Sequence, residues 1–161
     1  PKVAKILKNE NEKVKFYIVG DGRYKSELIK EIKQRKVDDM FKMIDRQPAE
    51  RIPELLAACD AAFISFKDEP LFYKTIPAKL QSYMACGMPV IASAQGETER
   101  IINEADCGIC AGIGDVEELS KGIRRMMRKV PTQMGENGRK YFGKKFDKQI
   151  LMDQMEKYFR G

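Results

Sequence analysis

Histidine is absent from this chain of 161 residues. The imidazole ring titrates near neutral pH, and it is the side chain used most often as a general base and as a metal ligand. Because no imidazole is available, any mechanism that needs one as a base, a ligand or a proton shuttle is excluded within this chain.

Long apolar runs are absent too. The longest, at residues 61–65 and 109–113, fall far short of the roughly 20 consecutive apolar residues that a membrane-spanning helix needs. The first residues also lack the pattern of a signal peptide. We therefore expect a soluble, cytoplasmic protein, with any peripheral contact at the inner face of a membrane made by a larger full-length protein.

Cysteine is scarce, with four residues in the chain. Cys107 and Cys110 have the two-residue spacing of a metal or redox pair, but they lie in an apolar run typical of a buried strand. Cys59 and Cys86 each end an alanine-rich helix and form no second close pair. We interpret all four as ordinary small residues of the interior, and we predict neither a metal site nor a bound cofactor.

Charge of one sign is not clustered, although the net charge of +6 favours an anionic partner. Basic and acidic residues are interspersed along the chain. The basic groups at residues 33–36 and 124–129 fit short, solvated helical faces. Because nucleic-acid binding needs a larger basic cluster, we predict no nucleic-acid partner.

Short apolar runs alternate with amphipathic stretches. With 43% hydrophobic residues the chain can bury one core but hardly two, so we predict a single domain over residues 1–161. Apolar runs predict strands at residues 14–19, 40–44, 60–64, 89–92 and 108–111. Helical periodicity predicts helices at residues 2–8, 24–35, 52–58, 77–87, 97–104 and 115–128. This alternation is typical of an α/β fold, a three-layer sandwich with a parallel sheet.

The C-terminal part gives two further expectations. Gly135 and Gly138 are expected to punctuate the C-terminal helices, because glycine is unfavourable inside a helix. An apolar stripe follows at helical spacing, made of Ile150, Leu151, Met155, Tyr158 and Phe159. Core packing is the more common use of such a stripe.

The stretch at residues 76–93 combines the features of a phosphate site. Pro77 can begin a helix because its missing N–H falls among donors without an intrahelical acceptor, and Gly87 can end it. Free backbone N–H groups and the positive dipole at such a helix start attract phosphate. Lys79 lies in the first turn, where its charge is unfavourable unless an anion binds. A solvated lysine without a ligand is the alternative interpretation.

Two further stretches follow strands. Gly20-Asp21-Gly22 lies between a strand and a helix, an order typical of the entrance to a nucleotide-binding βα unit. A tight turn without a ligand is the more common explanation of an isolated Gly-x-Gly. The loop at residues 65–75, which contains Lys67, lies at the carboxyl end of a later strand. Ligands bind at this edge in open parallel sheets.

Five motifs in one order resemble the group 1 retaining glycosyltransferase family. They are Val19-Gly20-Asp21-Gly22, IPELLAACD at residues 52–60, KLQSYMACGMPVIAS at 79–93, NEADCG at 103–108, and Gly114-Asp115. The likeness runs from about residue 15 to residue 159. It implies the C-terminal, nucleotide-sugar-binding half of a two-domain B-type fold, a Rossmann-like sandwich. The implied substrate is a nucleoside diphosphate sugar of the UDP or GDP type.

The resemblance implies roles for the turns that follow the first two strands. Gly20, Asp21 and Gly22 would lie near the sugar donor. Asp45 and Arg46, in the loop after the second strand, would meet the nucleotide base through their backbone. These five positions are therefore candidate nucleotide-binding residues.

The resemblance also implies roles around the central helix. The N–H groups of Ala78, Lys79 and Leu80 would bind the diphosphate, and residues 68–76 would face the transferred sugar. With no carboxylate of the family's signature in place, as described next, we predict Lys79 to be a catalytic group that stabilises the departing diphosphate.

The chain departs from the family in its acidic signature. A pair of glutamates separated by seven residues is usual, and the aligned positions are Lys74 and Ser82. Ser82 can still hydrogen-bond a ribose hydroxyl, more weakly than a carboxylate. Glu69 or Asp68 would replace the lost carboxylate at the sugar, and we name Glu69 as the second catalytic candidate. The PAKLQ sequence at residues 77–81 resembles a branch that acts on surface polysaccharides and lipopolysaccharides.

Two parts of the family's fold are not found in these residues. They are the first strand of this half, with the Arg and Lys that follow it and clamp the diphosphate, and the N-terminal domain that binds the acceptor. We therefore interpret the chain as a fragment whose partners are the nucleotide-sugar donor and that acceptor domain. In the family's fold the stripe with Leu151, Met155 and Tyr158 would cross toward the same domain. A missing central strand would leave backbone groups unpaired.

Two functions other than a glycosyltransferase fit the alternation of strands and helices less well. A nucleotide-sugar epimerase needs placed carboxylates and usually histidine, which this chain lacks. A non-catalytic α/β module that binds a partner, like a receiver domain, needs acids clustered at strand ends, and Asp21 and Asp60 form no such cluster. We predict a glycosyltransferase that moves a hexose or amino sugar to an acceptor hydroxyl, and we expect the fragment alone to be inactive.

Overall fold

The computed structural model describes residues 1–128 and 132–160. Helices and strands alternate over most of this length. The strands are β1 (Phe16–Val19), β2 (Phe41–Ile44), β3 (Ala62–Ser65), β4 (Val90–Ser93) and β5 (Gly108–Ala111). The helices are α1 (Lys2–Asn9), α2 (Lys25–Gln34), α3 (Ile52–Ala57), α4 (Pro70–Tyr73), α5 (Ala78–Ala85), α6 (Glu97–Ala105), α7 (Val116–Arg128), α8 (Thr132–Lys145) and α9 (Lys148–Arg160). All predicted strands and helices are present, with ends that differ by at most two residues.

The strands are parallel but form two sheets. β1 pairs with β2, and β4 lies between β3 and β5. Each of β1 and β3 has one edge that no strand of the described residues pairs. The predicted α/β fold with parallel strands is confirmed, while the expected single sheet is wrong for this chain.

Helices cover both faces of the three-stranded sheet around β4. All four residues of β4 are buried. Val90 shares a core cluster with Leu80 of α5, whereas Ile91 shares a second cluster with Leu119 of α7. Because neighbouring residues of a strand face opposite sides of its sheet, helices must pack on each side. The predicted three-layer arrangement is therefore confirmed here.

Gly135 and Gly138 do not separate helices, which corrects the expectation from the sequence. Both lie inside α8 and are buried. A Cβ added to Gly135 would lie 2.0 Å from the carbonyl oxygen of Gly87, and one added to Gly138 would lie 3.2 Å from Cβ of Cys107. The two glycines let α8 approach the end of α5 closely, and this packing outweighs their low helix propensity.

The apolar stripe of α9 is not packed in the core, so that expectation was also wrong. Leu151, Met155, Tyr158 and Phe159 are 41–84% exposed, and no residue of α9 is fully buried. The stripe does lie on one face of the helix, but the described part of the chain leaves most of that face exposed. No helix among residues 1–128 and 132–160 has the length and apolar content needed to cross a membrane.

All four cysteines lie in the described residues, and their thiols are free. Cys107 is completely buried and Cys110 is partly buried. Burial disfavours a thiolate, and it raises the pKa of Cys107 and of Cys110 to about 11. Cys59 and Cys86 are partly exposed. The interpretation as ordinary interior residues holds best for Cys107.

These thiols should differ in their reactivity. At pH 8 a thiol of pKa about 11 is only about one-thousandth thiolate, so we expect Cys107 and Cys110 to react with iodoacetamide far more slowly than Cys86. Raising the pH towards 11 should increase labelling of both, and labelling in guanidinium should make all four equal. Peptide mass spectrometry measures this, and rapid labelling of native Cys107 would contradict the burial described.

Candidate functional site

The turns after β1 and β2 meet at the carboxyl edge of the two-stranded sheet. The N–H of Gly20, whose φ is +124°, donates to the carbonyl oxygen of Ile44 at 2.9 Å. Lys25 Nζ lies 3.1 Å from a carboxylate oxygen of Asp45, which ties the start of α2 to the loop after β2. The residues predicted to face the nucleotide are mostly exposed here: Asp21, Gly22, Asp45 and Arg46. The structure therefore brings the first two candidate segments together.

The start of α5 lies at the carboxyl edge of the three-stranded sheet, because α5 follows β3 and leads back into β4. Pro77 precedes the helix with an extended backbone, and Ala78 and Lys79 are exposed. The amides of Ala78 and Lys79 have no acceptor among the described residues. The amide of Leu80 differs, because it donates to the carbonyl oxygen of Pro77 at 2.9 Å. Two open amides and an ammonium group thus remain for an anion.

The opposite end of α5 explains why this helix is firmly placed. Gly87 has a φ of +68°, and the N–H of Met88 donates to the carbonyl oxygen of Tyr83 at 2.9 Å, a Schellman ending. Leu80 and Met84 are completely buried on one side. The predicted helix with a glycine ending is confirmed, and its buried face holds the exposed first turn in position.

Ser82 and Lys74 occupy the positions aligned with the family's two glutamates. Both are exposed. The Ser82 hydroxyl donates to the carbonyl oxygen of Ala78 at 3.1 Å, so its oxygen can still accept a hydrogen bond from a ligand hydroxyl. Lys74 directly follows α4. The Ser82 hydroxyl, one helical turn after Ala78, can thus form a hydrogen bond with a ligand, although it carries no charge.

The segment between β3 and α5 is not the open loop expected from the sequence. Pro70 begins the short helix α4, as a proline in the first turn favours. The rings of Phe66 and Phe72 stack with centroids 4.9 Å apart. The buried Thr98 donates its hydroxyl hydrogen to the carbonyl oxygen of Thr75 at 3.1 Å. The segment is therefore fixed to the protein at both ends.

Gly96 has a role here that the sequence analysis missed. Its φ is +72°, and a Cβ at this position would lie 2.0 Å from the carbonyl oxygen of Tyr73. The backbone of α4 therefore rests directly on the turn before α6. A glycine just before a helix favours a turn, but the residue that Gly96 contacts lies 23 positions earlier in the sequence.

The two carboxylates considered at the sugar differ in their contacts. Asp68 accepts a hydrogen bond from the Tyr73 hydroxyl, which raises the pKa of that phenol. The Glu69 side chain is exposed and forms no hydrogen bond or ion pair with another described residue. Of the two, Glu69 is the carboxylate that can contact a ligand without breaking an existing bond.

Tyr24 and Lys67 join the two sheets at this edge. Lys67 Nζ donates to the Tyr24 hydroxyl oxygen at 2.8 Å and lies 4.4 Å from the ring centroid. Tyr24 follows the turn after β1, and Lys67 follows β3. The sequence-based predictions gave neither residue a role. The contact brings the carboxyl ends of β1 and β3 near each other, and we call the space between these two strand ends the crevice.

Comparison with known proteins identifies the family. The model of the family described as "Glycosyl transferases group 1" matches residues 2–141, so this chain belongs to the group 1 glycosyltransferases. Over 144 residues it is 24% identical to N-acetyl-alpha-D-glucosaminyl L-malate synthase of Bacillus anthracis, covering 88% of this chain and 36% of that protein. Over 124 residues it is 26% identical to the amylovoran biosynthesis glycosyltransferase AmsK of Erwinia amylovora, covering 76% of this chain and 30% of that protein.

A solved structure shows the same fold. The crystal structure of Anabaena Alr3699/HepE in complex with UDP superposes with a TM-score of 0.77 at 23% identity, covering 91% of this chain and 41% of that one. The chain thus has the Rossmann-like architecture of B-type glycosyltransferases. It spans about a third of the length of the curated relatives it matches.

Proposed function

We propose that this chain is the nucleotide-sugar-binding domain of a retaining glycosyltransferase. The enzyme would move a hexose or amino sugar from a nucleoside diphosphate to an acceptor hydroxyl in surface polysaccharide or lipopolysaccharide synthesis. The observation that carries the proposal is the exposed first turn of α5, with open amides and Lys79, at a carboxyl edge of the sheet. Family membership supports the reaction class, and the name of the Erwinia relative supports the product class.

The chemistry proposed for α5 is stabilisation of the leaving diphosphate. Negative charge grows on the diphosphate as its bond to the sugar breaks. Fixed amide dipoles at Ala78 and Lys79 and the Lys79 ammonium group would stabilise that charge most strongly in the transition state. The Leu80 amide takes no part in this proposal, because it already donates to Pro77.

The other candidate residues would hold the remaining parts of the donor. The backbone of Asp45 and Arg46 would contact the base, and the Ser82 hydroxyl would contact the ribose. Glu69 would face the sugar, where a carboxylate can stabilise positive charge at the reacting carbon. The turn at residues 20–22 would border the donor. The acceptor would come from an N-terminal domain, and peripheral membrane contact and a cytoplasmic location remain expectations.

Calorimetric titration of the chain with UDP and with GDP tests this proposal. We expect one of them to bind at millimolar concentration or below, and Lys79→Ala to weaken that binding about tenfold through loss of one charge-assisted contact. Lys33→Ala is the matched control, since it removes the same charge from the end of α2, at the opposite edge of the sheet. If the folded chain binds neither nucleotide at millimolar concentration, the proposal is wrong.

A further inference from the structure

Two lysines at the crevice differ in how their charge is balanced. Lys25 forms an ion pair with Asp45 at 3.1 Å, so its positive charge is offset by a carboxylate. Lys67 is held by the hydroxyl of Tyr24, which is neutral. Among the described residues no carboxylate oxygen lies within 4.0 Å of the Lys67 ammonium group. The hydrogen bond to Tyr24 raises the pKa of Lys67, and the more distant carboxylates of Glu69 and Glu27 raise it further, but neither carboxylate forms an ion pair with it.

The position of Lys67 is set from both sides of the crevice. Its backbone follows β3 and precedes Glu69, whose N–H donates to the carbonyl oxygen of Lys67 at 2.9 Å. Its ammonium group reaches the Tyr24 side chain, which follows the glycine turn after β1. β1 pairs with β2 in one sheet and β3 pairs with β4 in the other, and the contact between Lys67 and Tyr24 lies at the carboxyl ends of β1 and β3. Ligands of open parallel sheets bind at the carboxyl ends of the strands.

We infer that Lys67 is an additional binding residue for the diphosphate of the sugar donor, and that Tyr24 is the positioning residue that holds it. This inference rests on the proposed function. A lysine ammonium group has three N–H donors, and the bond to Tyr24 uses one. The others can bind phosphate oxygens while the Tyr24 contact persists. The bond to Tyr24 also raises the pKa of Lys67, which keeps the group charged.

The arrangement assigns separate tasks to the two lysines. Lys79 would meet the anion from the first turn of α5, together with backbone amides. Lys67 would meet it from the loop after β3, without help from a helix dipole. Because the Lys67 side chain is exposed, its attraction to an anion is screened by salt. Its contribution should therefore decrease as the ionic strength rises.

The test uses the nucleoside diphosphate, UDP or GDP, that the unchanged chain binds more tightly. We expect Lys67→Met to weaken its binding about tenfold at low salt, the scale of one charge-assisted hydrogen bond. Tyr24→Phe keeps the ring and removes the hydroxyl, and we expect a loss of about threefold. In the Lys67→Met background, Tyr24→Phe should add no loss, because a positioning residue acts only through the group it holds. Lys33→Met is the matched control.

The outcomes separate this inference from the proposed function. If the unchanged chain binds a nucleotide and Lys67→Met binds it equally well, the inference is wrong and the proposed function stands. If Tyr24→Phe weakens binding equally with and without Lys67, Tyr24 does not act through Lys67 and the positioning role is wrong. If no nucleotide binds the unchanged chain, both proposals fail together. Thermal unfolding of each variant checks that a lost affinity does not reflect a lost fold.

Discussion

Gly135→Ala should lower the free energy of unfolding by about 3 kcal/mol, at the upper end of the usual cost of overpacking a core. The added methyl would lie 2.0 Å from the carbonyl oxygen of Gly87, and that atom is backbone at the end of α5. It cannot rotate away as a side chain can. Either α8 or the end of α5 must move, and the two meet where the buried Met84 of α5 lies beside Gly138 of α8.

Gly143→Ala is the matched control for this substitution. It lies in the same helix, α8, and a Cβ there would meet nothing within 4 Å. Because alanine has the higher helix propensity, Gly143→Ala should raise stability by up to about 1 kcal/mol. Urea unfolding measures both changes. Equal effects of the two substitutions would show that the contact between Gly135 and Gly87 is not tight.

Gly96→Ala should combine a loss of stability with a loss of nucleotide affinity. The added methyl would lie 2.0 Å from the carbonyl oxygen of Tyr73, and the φ of +72° is unfavourable for alanine. We expect a loss of about 3 kcal/mol from overpacking and strain together. The displaced segment carries Glu69 and leads into Pro77, so we also expect binding of the nucleoside diphosphate to weaken about tenfold, the scale of one misplaced charged contact.

Gly114→Ala is the control that introduces backbone strain at a positive φ without displacing the segment between β3 and α5. Gly114 has a similar φ of +82°, but a Cβ there would meet nothing within 4 Å. We expect it to cost about 1 kcal/mol, the conformational part alone, and to leave nucleotide binding unchanged. Urea unfolding and calorimetry give the two readouts. If Gly96→Ala retained full affinity, the segment from β3 to α5 would not depend on the contact with Tyr73.

The local elements were predictable because local patterns specify them. In α7, Asp115 accepts a hydrogen bond from the N–H of Glu118 at 2.9 Å, as expected of the residue that caps this helix. The apolar run from Gly108 to Ala111 forms β5 with the predicted ends. Caps, periodicity and short apolar runs act over a few residues, so the sequence alone contains this information.

The prediction for Gly135 was wrong because the residue that it contacts is distant in the sequence. Gly135 looks like a helix end because its local effect is unfavourable. The contact that favours it is with Gly87, 48 residues earlier, and no local pattern encodes that contact. The prediction that the apolar stripe of α9 packs in the core was wrong for a related reason. Periodicity shows that Met155 and Phe159 share a face, but not whether another surface covers it.

The candidate site was predictable in part. The turn at Gly20 and the start of α5 at Pro77 have local signatures, and the structure places each at a carboxyl edge. The open amides could not be counted from sequence, because the Leu80 amide is taken by a turn that only the backbone geometry reveals. The Tyr24–Lys67 pair joins residues 43 positions apart.

The sequence by itself determined the alternation of strands and helices and the glycine ending of α5, since each follows from residue identity and short-range spacing. Only the tertiary structure decided that the strands divide into two sheets, that α8 packs through Gly135, and that Lys67 is held by Tyr24. Those features depend on which surfaces meet after the chain has folded, and contacts between distant residues leave no periodic pattern in the sequence.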